Sequence, residues 1–332
     1  MPRFPFKFNP FPEKLYSPDE LLKGFNKSPL SYGTTVDFQI YREFVSSGGF
    51  APTGYLLAMM QSLHDNAIRE LTQEFLKSSK AKAVAVMGGH DLGRSHPVYR
   101  KVAHLVRELA RDGFTPVSGG GPGAMEATHL GALLKNASDQ ALKDALRELG
   151  RHPHLPADIG KIVNKRGKAN VSLIKKTHAW FAPAYRIWER FKDEEPGQSL
   201  AIPTWLYGDE PTTPLAPRIA KYFQNSIRED RLLAIATHGV IYVEGRAGTV
   251  QEIFQDATQN YYRTLGSFSP MILFGVKDYW SKTIPVVPVL KALFKAADYS
   301  KYVLVTDEPA KIIPFLISQE PRQTPSQRMS VR

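Results

Sequence analysis

The chain has 332 residues, a formal net charge of +11 and no cysteine. That length allows a sizeable core in one large or two ordinary domains, and the missing cysteines exclude disulfides, zinc–thiolate sites and thiol nucleophiles. No run approaches the ~18–20 apolar residues that span a bilayer, and the N-terminus lacks the apolar core of a secretory signal. A cytoplasmic location is the default expectation.

The excess charge favours anionic partners. Yet no stretch holds five or more consecutive Lys/Arg residues, and aromatics are not interleaved with basic residues as in a dedicated nucleic-acid binder. Small phosphates are therefore the expected partners, rather than nucleic acid or membrane.

Residues 1–16 read as an irregular arm. Helices are predicted near 17–25 and 36–46, then a Gly/Pro break at SSGGFAPTG and a long amphipathic helix over 53–78. The rhythm then changes. AKAVAVMGG (81–89) is a β-rich run ending in glycines, followed by a helix over 97–112. FTPVSGGG (114–121) is a second such strand, and PGAMEATHLGALL a second helix. Strand, glycine turn and helix, twice over, predict a doubly wound parallel α/β sheet.

Residues 135–198 break this rhythm with helical, polar sequence and form a helical insertion, a candidate lid. Sheet rhythm returns with a strand in SLAIPTWLYG (199–208), a helix across 214–236, the strand GVIYVEG (239–245), a helix over 248–263 and the strand PMILFGV (270–276). A last strand, YVLVTD (302–307), precedes a helix over 308–318. The organisation is an N-terminal arm and helical extension (1–80), an α/β domain (81–318) and a polar tail (319–332) that reads as disordered.

The glycine turns carry the chemistry. Gly88-Gly89-His90-Asp91-Leu92-Gly93-Arg94-Ser95 has P-loop spacing, but Arg94 stands where that motif needs a lysine to reach the terminal phosphates. Gly119-x-Gly121-x-x-Ala124 has dinucleotide-fingerprint spacing. The acidic residue that should end the next strand falls near Asp139, in a helical pattern, which argues against NAD.

A third reading needs only a strand running into Gly119, Gly120, Gly121, Pro122 and Gly123. Pro122 sits near the first helical position, and the glycines let backbone amides approach a phosphate at a helix N-terminus. A tight turn with no ligand is the bland alternative. The second turn, Glu244-Gly245-Arg246-Ala247-Gly248-Thr249, also joins a strand to a helix. Thr249-x-x-Glu252 there is either a capping box or part of a ligand site at the carboxyl edge of the sheet.

Together, GGGPGAM (119–125) and Gly245, Gly248, Thr249 and Glu252 resemble the "lonely guy" family, whose pattern is GGGxxGxM followed by PGGxGTxxE. AVAVMGG and Gly131-Ala132 extend the likeness, which covers about 81–132 and 199–307. The resemblance implies a Rossmann-like nucleotide-binding fold and hydrolysis of the N-glycosidic bond of a nucleoside 5′-monophosphate, a purine favoured, with no cofactor or metal. It also implies a homodimer or larger homo-oligomer.

By position, the family's glutamate is Glu252 and its arginine is Arg228, with Arg231 as fallback. Gly88, Gly89, Gly119, Gly120, Gly121, Gly123, Met125, Gly245, Arg246, Gly248 and Thr249 would hold the nucleotide and its phosphate. The chain departs from the pattern at Glu244, which replaces the proline, and at Arg246, which replaces the second glycine. Arg246 would either grip phosphate or pair with Glu244. These departures keep open a non-catalytic nucleotide sensor using the same pocket.

His129 and His238, placed near the two turns, read as structural histidines. Trp180 and Tyr185 belong to an aromatic helix that is core or, if the insertion closes over the site, a base-stacking surface.

Overall fold

The computed structural model describes residues 5–206, 211–265 and 268–319. Among the described residues three α-helices precede the sheet: α1 (Pro18–Leu21), α2 (Val36–Ser46) and α3 (Tyr55–Ser78). The predicted helix at 17–25 is thus one turn. Thr35 caps α2 by accepting from the Phe38 N–H, and positive-φ glycines at 48, 49 and 54 form the break before α3.

Seven strands follow, β1 (Lys82–Gly88), β2 (Phe114–Ser118), β3 (Leu200–Ala201), β4 (Arg218–Ile219), β5 (Val240–Val243), β6 (Met271–Phe274) and β7 (Val303–Thr306). They form one sheet in the order β4-β3-β2-β1-β5-β6-β7. Every neighbouring pair is parallel. This is a Rossmann-like doubly wound α/β fold. The chain winds outward in one direction from β1 to β4, then returns beside β1 and winds the other way. The switch point lies between β1 and β5.

Alternation along the strands builds a core on each face. Ala83, Ala85 and Met87 of β1, with Val240 and Tyr242 of β5, join one cluster. Val84 and Val86, with Ile241 and Val243, join the other. The period-2 geometry of a strand requires this division. On the second face lie α4 (Pro97–Arg111), α5 (Ala124–Leu133), α6 (Asp139–Gly150) and the C-terminal half of α7 (Val171–Phe191). A Cβ at Gly131 would collide with the Ala103 carbonyl, so glycine there lets α5 lie close on α4.

The first face is covered by α8 (Asn225–Ile235), α9 (Ala247–Tyr262), α10 (Val286–Leu293) and the N-terminal extension, whose Tyr16, Phe38 and Ile68 are buried in the same core. The extension is thus continuous with the sheet's own core. The insertion is tied to it as well: Trp188 Nε1 donates to Asp19 Oδ1 at 3.0 Å and Arg42 Nε to the Gly167 carbonyl at 2.6 Å. The chain continues through α11 (Ala296–Tyr302) and ends its described part with α12 (Ile312–Ser318), packed on the second face.

Other expectations change as well. The predicted helix across 214–236 begins only at Asn225, because Pro214 and Pro217 cannot serve a helix interior. Residues 218–222 instead extend along the sheet edge: Ala220 N–H donates to the Ala201 carbonyl (2.8 Å) and Tyr222 N–H to the Pro203 carbonyl (2.9 Å). α10 and α11 fall in a stretch left unassigned above. Of the predicted strand at 199–208, Leu200–Ala201 form a strand and residues 207–208 lie outside the described residues, as do residues 320–332 of the tail expected to be disordered. No described helix is long and apolar enough to cross a membrane.

Candidate functional site

The carboxyl ends of β1, β2 and β5 bring the glycine turns together. Gly88 and Gly89 leave β1 at φ +85° and +63°, and Gly120 and Gly123 follow β2 at +72° and +70°. A Cβ at Gly123 would collide with the Gly89 carbonyl, and one at Gly88 with the Val243 carbonyl. At Gly89 and Gly120 a Cβ would come within 2.8 Å of Ala124 Cβ and Ala201 Cβ. These four glycines therefore let the turns interlock. Their close approach is to other backbone and to neighbouring methyl groups.

Gly248 differs: nothing lies within 4 Å of where its Cβ would stand. It is the second residue of α9, a sixteen-residue helix whose N-cap, Arg246, makes no side-chain cap bond. Helix N-terminal amides left open in this way suit an anion. The capping-box alternative does not hold, because α9 begins at Ala247 and Thr249 is already inside the first turn. Glu252 is released from capping and stands one turn further along.

A cavity of 170 Å³ at the switch point gathers Gly88, Gly119, Met125, Arg228, Gly248, Thr249 and Glu252. It does not include Gly89, Gly120, Gly121, Gly123, Gly245 or Arg246. Arg231, the fallback, is absent from it too, so of the two arginines α8 turns Arg228 toward Glu252. Four cavity residues were not assigned to the site from sequence, namely Met87, His90, Glu229 and Leu232. Met87 and His90 flank the Gly88-Gly89 turn and Glu229 follows Arg228 in NSIREDR, whereas Leu232 had no sequence signal.

Arg246 is 86% exposed, and its nearest opposite charge is Asp91 at 3.6 Å. Glu244 does not pair with it; its Oε1 accepts from the Val276 N–H at 2.5 Å, stapling the β5 and β6 ends. The Gly245 carbonyl accepts from Tyr279 Oη at 2.7 Å.

Burial pushes the Glu252 carboxyl from its ordinary 4.5 up to about 7; the Arg228 charge opposes the rise and the Glu229 charge adds to it. Glu229 is itself held between helices, accepting from Asn225 Nδ2 at 2.8 Å and from Gln251 Nε2 at 3.2 Å. A carboxyl poised near neutrality beside an arginine is the type of perturbation that active sites carry. One turn deeper, burial raises Asp256 to about 7 as well, but it is bonded to Tyr242 Oη (2.7 Å) and Asn260 Nδ2 (3.2 Å). Asp256 serves the core.

His90 also lines an adjoining 290 Å³ cavity, with Pro122, Gly123, Trp180 and the insertion residues Pro153–Ala157. Its ring nitrogens make no hydrogen bond among the described residues, and Asp91 Oδ1 lies 3.9 Å away. Trp180 is buried, with the Arg94 guanidinium 3.9 Å over its ring. It is therefore a wall of the neighbouring cavity and not of the one holding Glu252. Arg94 itself is committed: Nε and Nη2 fork onto Glu126 at 2.7 and 2.6 Å, and Nη1 donates to the Trp180 carbonyl at 2.5 Å. This buried pair removes the P-loop reading, which needs a free cation at that position.

His129 is fully buried between Ser118 Oγ (2.8 Å) and Ser199 Oγ (3.0 Å), and burial lowers its pKa to about 3. It is a neutral structural residue. His238 precedes β5, and its N–H donates to the Ala83 carbonyl, which puts it at the amino edge of the sheet, away from both turns. Set against known proteins, the chain matches no family model and no curated sequence.

Proposed function

We propose that the chain hydrolyses the N-glycosidic bond of a nucleoside 5′-monophosphate, releasing free base and ribose 5-phosphate, as its resemblance to the "lonely guy" family implies. The observation that carries this reading is the convergence of Arg228 and Glu252 on one cavity with the open start of α9. The amides around Gly248 and Thr249 take the 5′-phosphate. Breaking the bond leaves positive charge on the ribose, which the Glu252 carboxylate stabilises while it orients water toward C1′. Water adds its hydroxyl to C1′, the bond to the base nitrogen breaks, and that nitrogen leaves with the proton. Arg228 balances charge on the phosphate or on the departing base.

A nucleotide sensor using the same cavity is the second reading. Its support is the replacement of the motif proline by Glu244 and of the motif glycine by Arg246. Arg246 has a negative φ of −113°, outside the left-handed region that favours glycine, and its side chain does not line the cavity. The substitution therefore does not close the site. By the same resemblance the chain forms a homo-oligomer, which light scattering checks.

The test is incubation with AMP, GMP, IMP, CMP, UMP and an N6-alkyl AMP, following base and ribose 5-phosphate by chromatography. Release that disappears in Glu252→Gln is the expected result. Tight binding of a nucleotide that is never consumed would leave the sensor.

A further inference from the structure

The helix that carries Arg228 is not capped by its own sequence. Its N-cap, Gln224, makes no side-chain cap bond. The N–H groups of Phe223 and Gln224 donate instead to the two oxygens of Asp65, each at 2.9 Å. Asp65 lies on α3, about 160 residues away in the chain, and is fully buried, as is its neighbour His64. A carboxylate against the start of a helix meets both its unpaired N–H groups and its positive end.

Asp65 is in turn held. His64 Nδ1 lies 3.1 Å from Asp65 Oδ1, and His64 Nε2 lies 2.8 Å from Tyr16 Oη. Tyr16 bridges the sheet edge, exchanging backbone hydrogen bonds with Ile219 of β4 at 3.0 and 2.9 Å. The N-terminal arm, α3 and the segment entering α8 thus form one closed clamp. From clamp to guanidinium is one helical turn, since the Arg228 N–H donates to the Gln224 carbonyl.

We propose that Asp65, oriented by His64 and Tyr16, is a positioning residue that fixes the start of α8 and thereby the place of Arg228 against Glu252. The N-terminal extension is then part of the site's machinery, although none of its residues lines the cavity. Only the role of Glu252 in catalysis rests on the hydrolase reading; the clamp does not. The charged groups facing Glu252 are Arg228 and Glu229 from α8, with His90 reaching the cavity from the β1 turn and Tyr242 of β5 below. Arg228 alone among them holds the Glu252 carboxylate down.

The experiment titrates Glu252 by difference infrared spectroscopy of the full-length protein, with Glu252→Gln as the blank, in the parent, Asp65→Asn and Tyr16→Phe. Circular dichroism and urea unfolding establish that each variant is folded. Asn replaces one of the two acceptor oxygens with a donor, so α8 is released at its start. The expected result is a rise of at least half a pH unit in the Glu252 midpoint for Asp65→Asn and a smaller rise for Tyr16→Phe. The acid limb of kcat/KM moves up in step. A folded Asp65→Asn with an unmoved midpoint overturns the inference. If Asp65→Asn does not fold, an unmoved midpoint in folded Tyr16→Phe overturns it. If the midpoint moves but no variant, nor the parent, consumes a nucleotide, the clamp stands and the hydrolase reading falls.

Discussion

Replacing Glu252 with glutamine should stabilise the protein at alkaline pH while removing the proposed activity. A carboxyl whose folded-state pKa lies above its unfolded value binds its proton more tightly in the folded chain. That contribution is fully present below the ordinary value of 4.5 and is lost as pH rises through about 7. At ~1.4 kcal/mol per pH unit, ionising Glu252 costs the fold about 3 kcal/mol. Glutamine has the same shape and never ionises. Urea unfolding at pH 8 should therefore find Glu252→Gln more stable than the parent by about 2–3 kcal/mol, with an unchanged m-value. At pH 4.5 the two should agree within about 0.5 kcal/mol. Asp256 rises in the same window, so both proteins lose stability there and the difference between them isolates Glu252. A difference that does not depend on pH, or a glutamine variant weaker at pH 8, would refute the claim that burial governs this carboxyl.

Arg228→Gln removes the charge that opposes the rise of Glu252, so the acid limb of kcat/KM should move above 7, and nucleotide affinity should fall at least tenfold, about 1.4 kcal/mol. Gly248→Ala, with open space around the new Cβ, should leave urea stability within about 0.5 kcal/mol and yet weaken ribose 5-phosphate binding in calorimetry. Gly123→Ala should do the reverse of that pattern in stability, losing 2 kcal/mol or more to strain at φ +70° and the collision with Gly89. Glu126→Gln leaves the buried Arg94 charge uncompensated and should cost about 3–5 kcal/mol in urea unfolding.

The sheet was legible because β1, β2, β5 and β6 are short, apolar and closed by glycine, and because Gly88, Gly89, Gly120, Gly245 and Gly275 have no room for a Cβ. AVAVMGG and TPVSGGG announce both the strand and its turn. The sheet edge was not legible. LAPRIAKYFQ has helical composition, and what makes it extended is pairing with residues 201–205 together with burial of Lys221, whose ammonium donates to Asp37 at 2.6 Å. No local window records a partner 184 residues away. The site divided in the same way. Positions on helices, namely Arg228, Gly248, Thr249 and Glu252, were carried over from the family resemblance, and they line one cavity. Of the glycines credited to phosphate, Gly88, Gly119 and Gly248 line the cavity and Gly89, Gly120, Gly121, Gly123 and Gly245 do not, because a sequence cannot tell close approach to a ligand from close approach to the next loop.

That distinction also bears on the two departures from the motif. A proline and a glycine at positions 244 and 246 would be needed for catalysis only if the turn's conformation depended on them. Here it does not. Glu244 fixes the same corner by accepting from the Val276 N–H, and the negative φ of Arg246, −113°, lies outside the left-handed region that favours glycine. The residue whose freedom does matter is Gly248, which matches the motif and has open space where a Cβ would stand. Arg246→Gly, which would restore the motif, is accordingly expected to leave kcat/KM within about threefold (~0.6 kcal/mol) of the parent. A gain of tenfold or more in steady-state assays would mean that the exposed guanidinium, through its contact with Asp91, restrains the loop that His90 extends into the site.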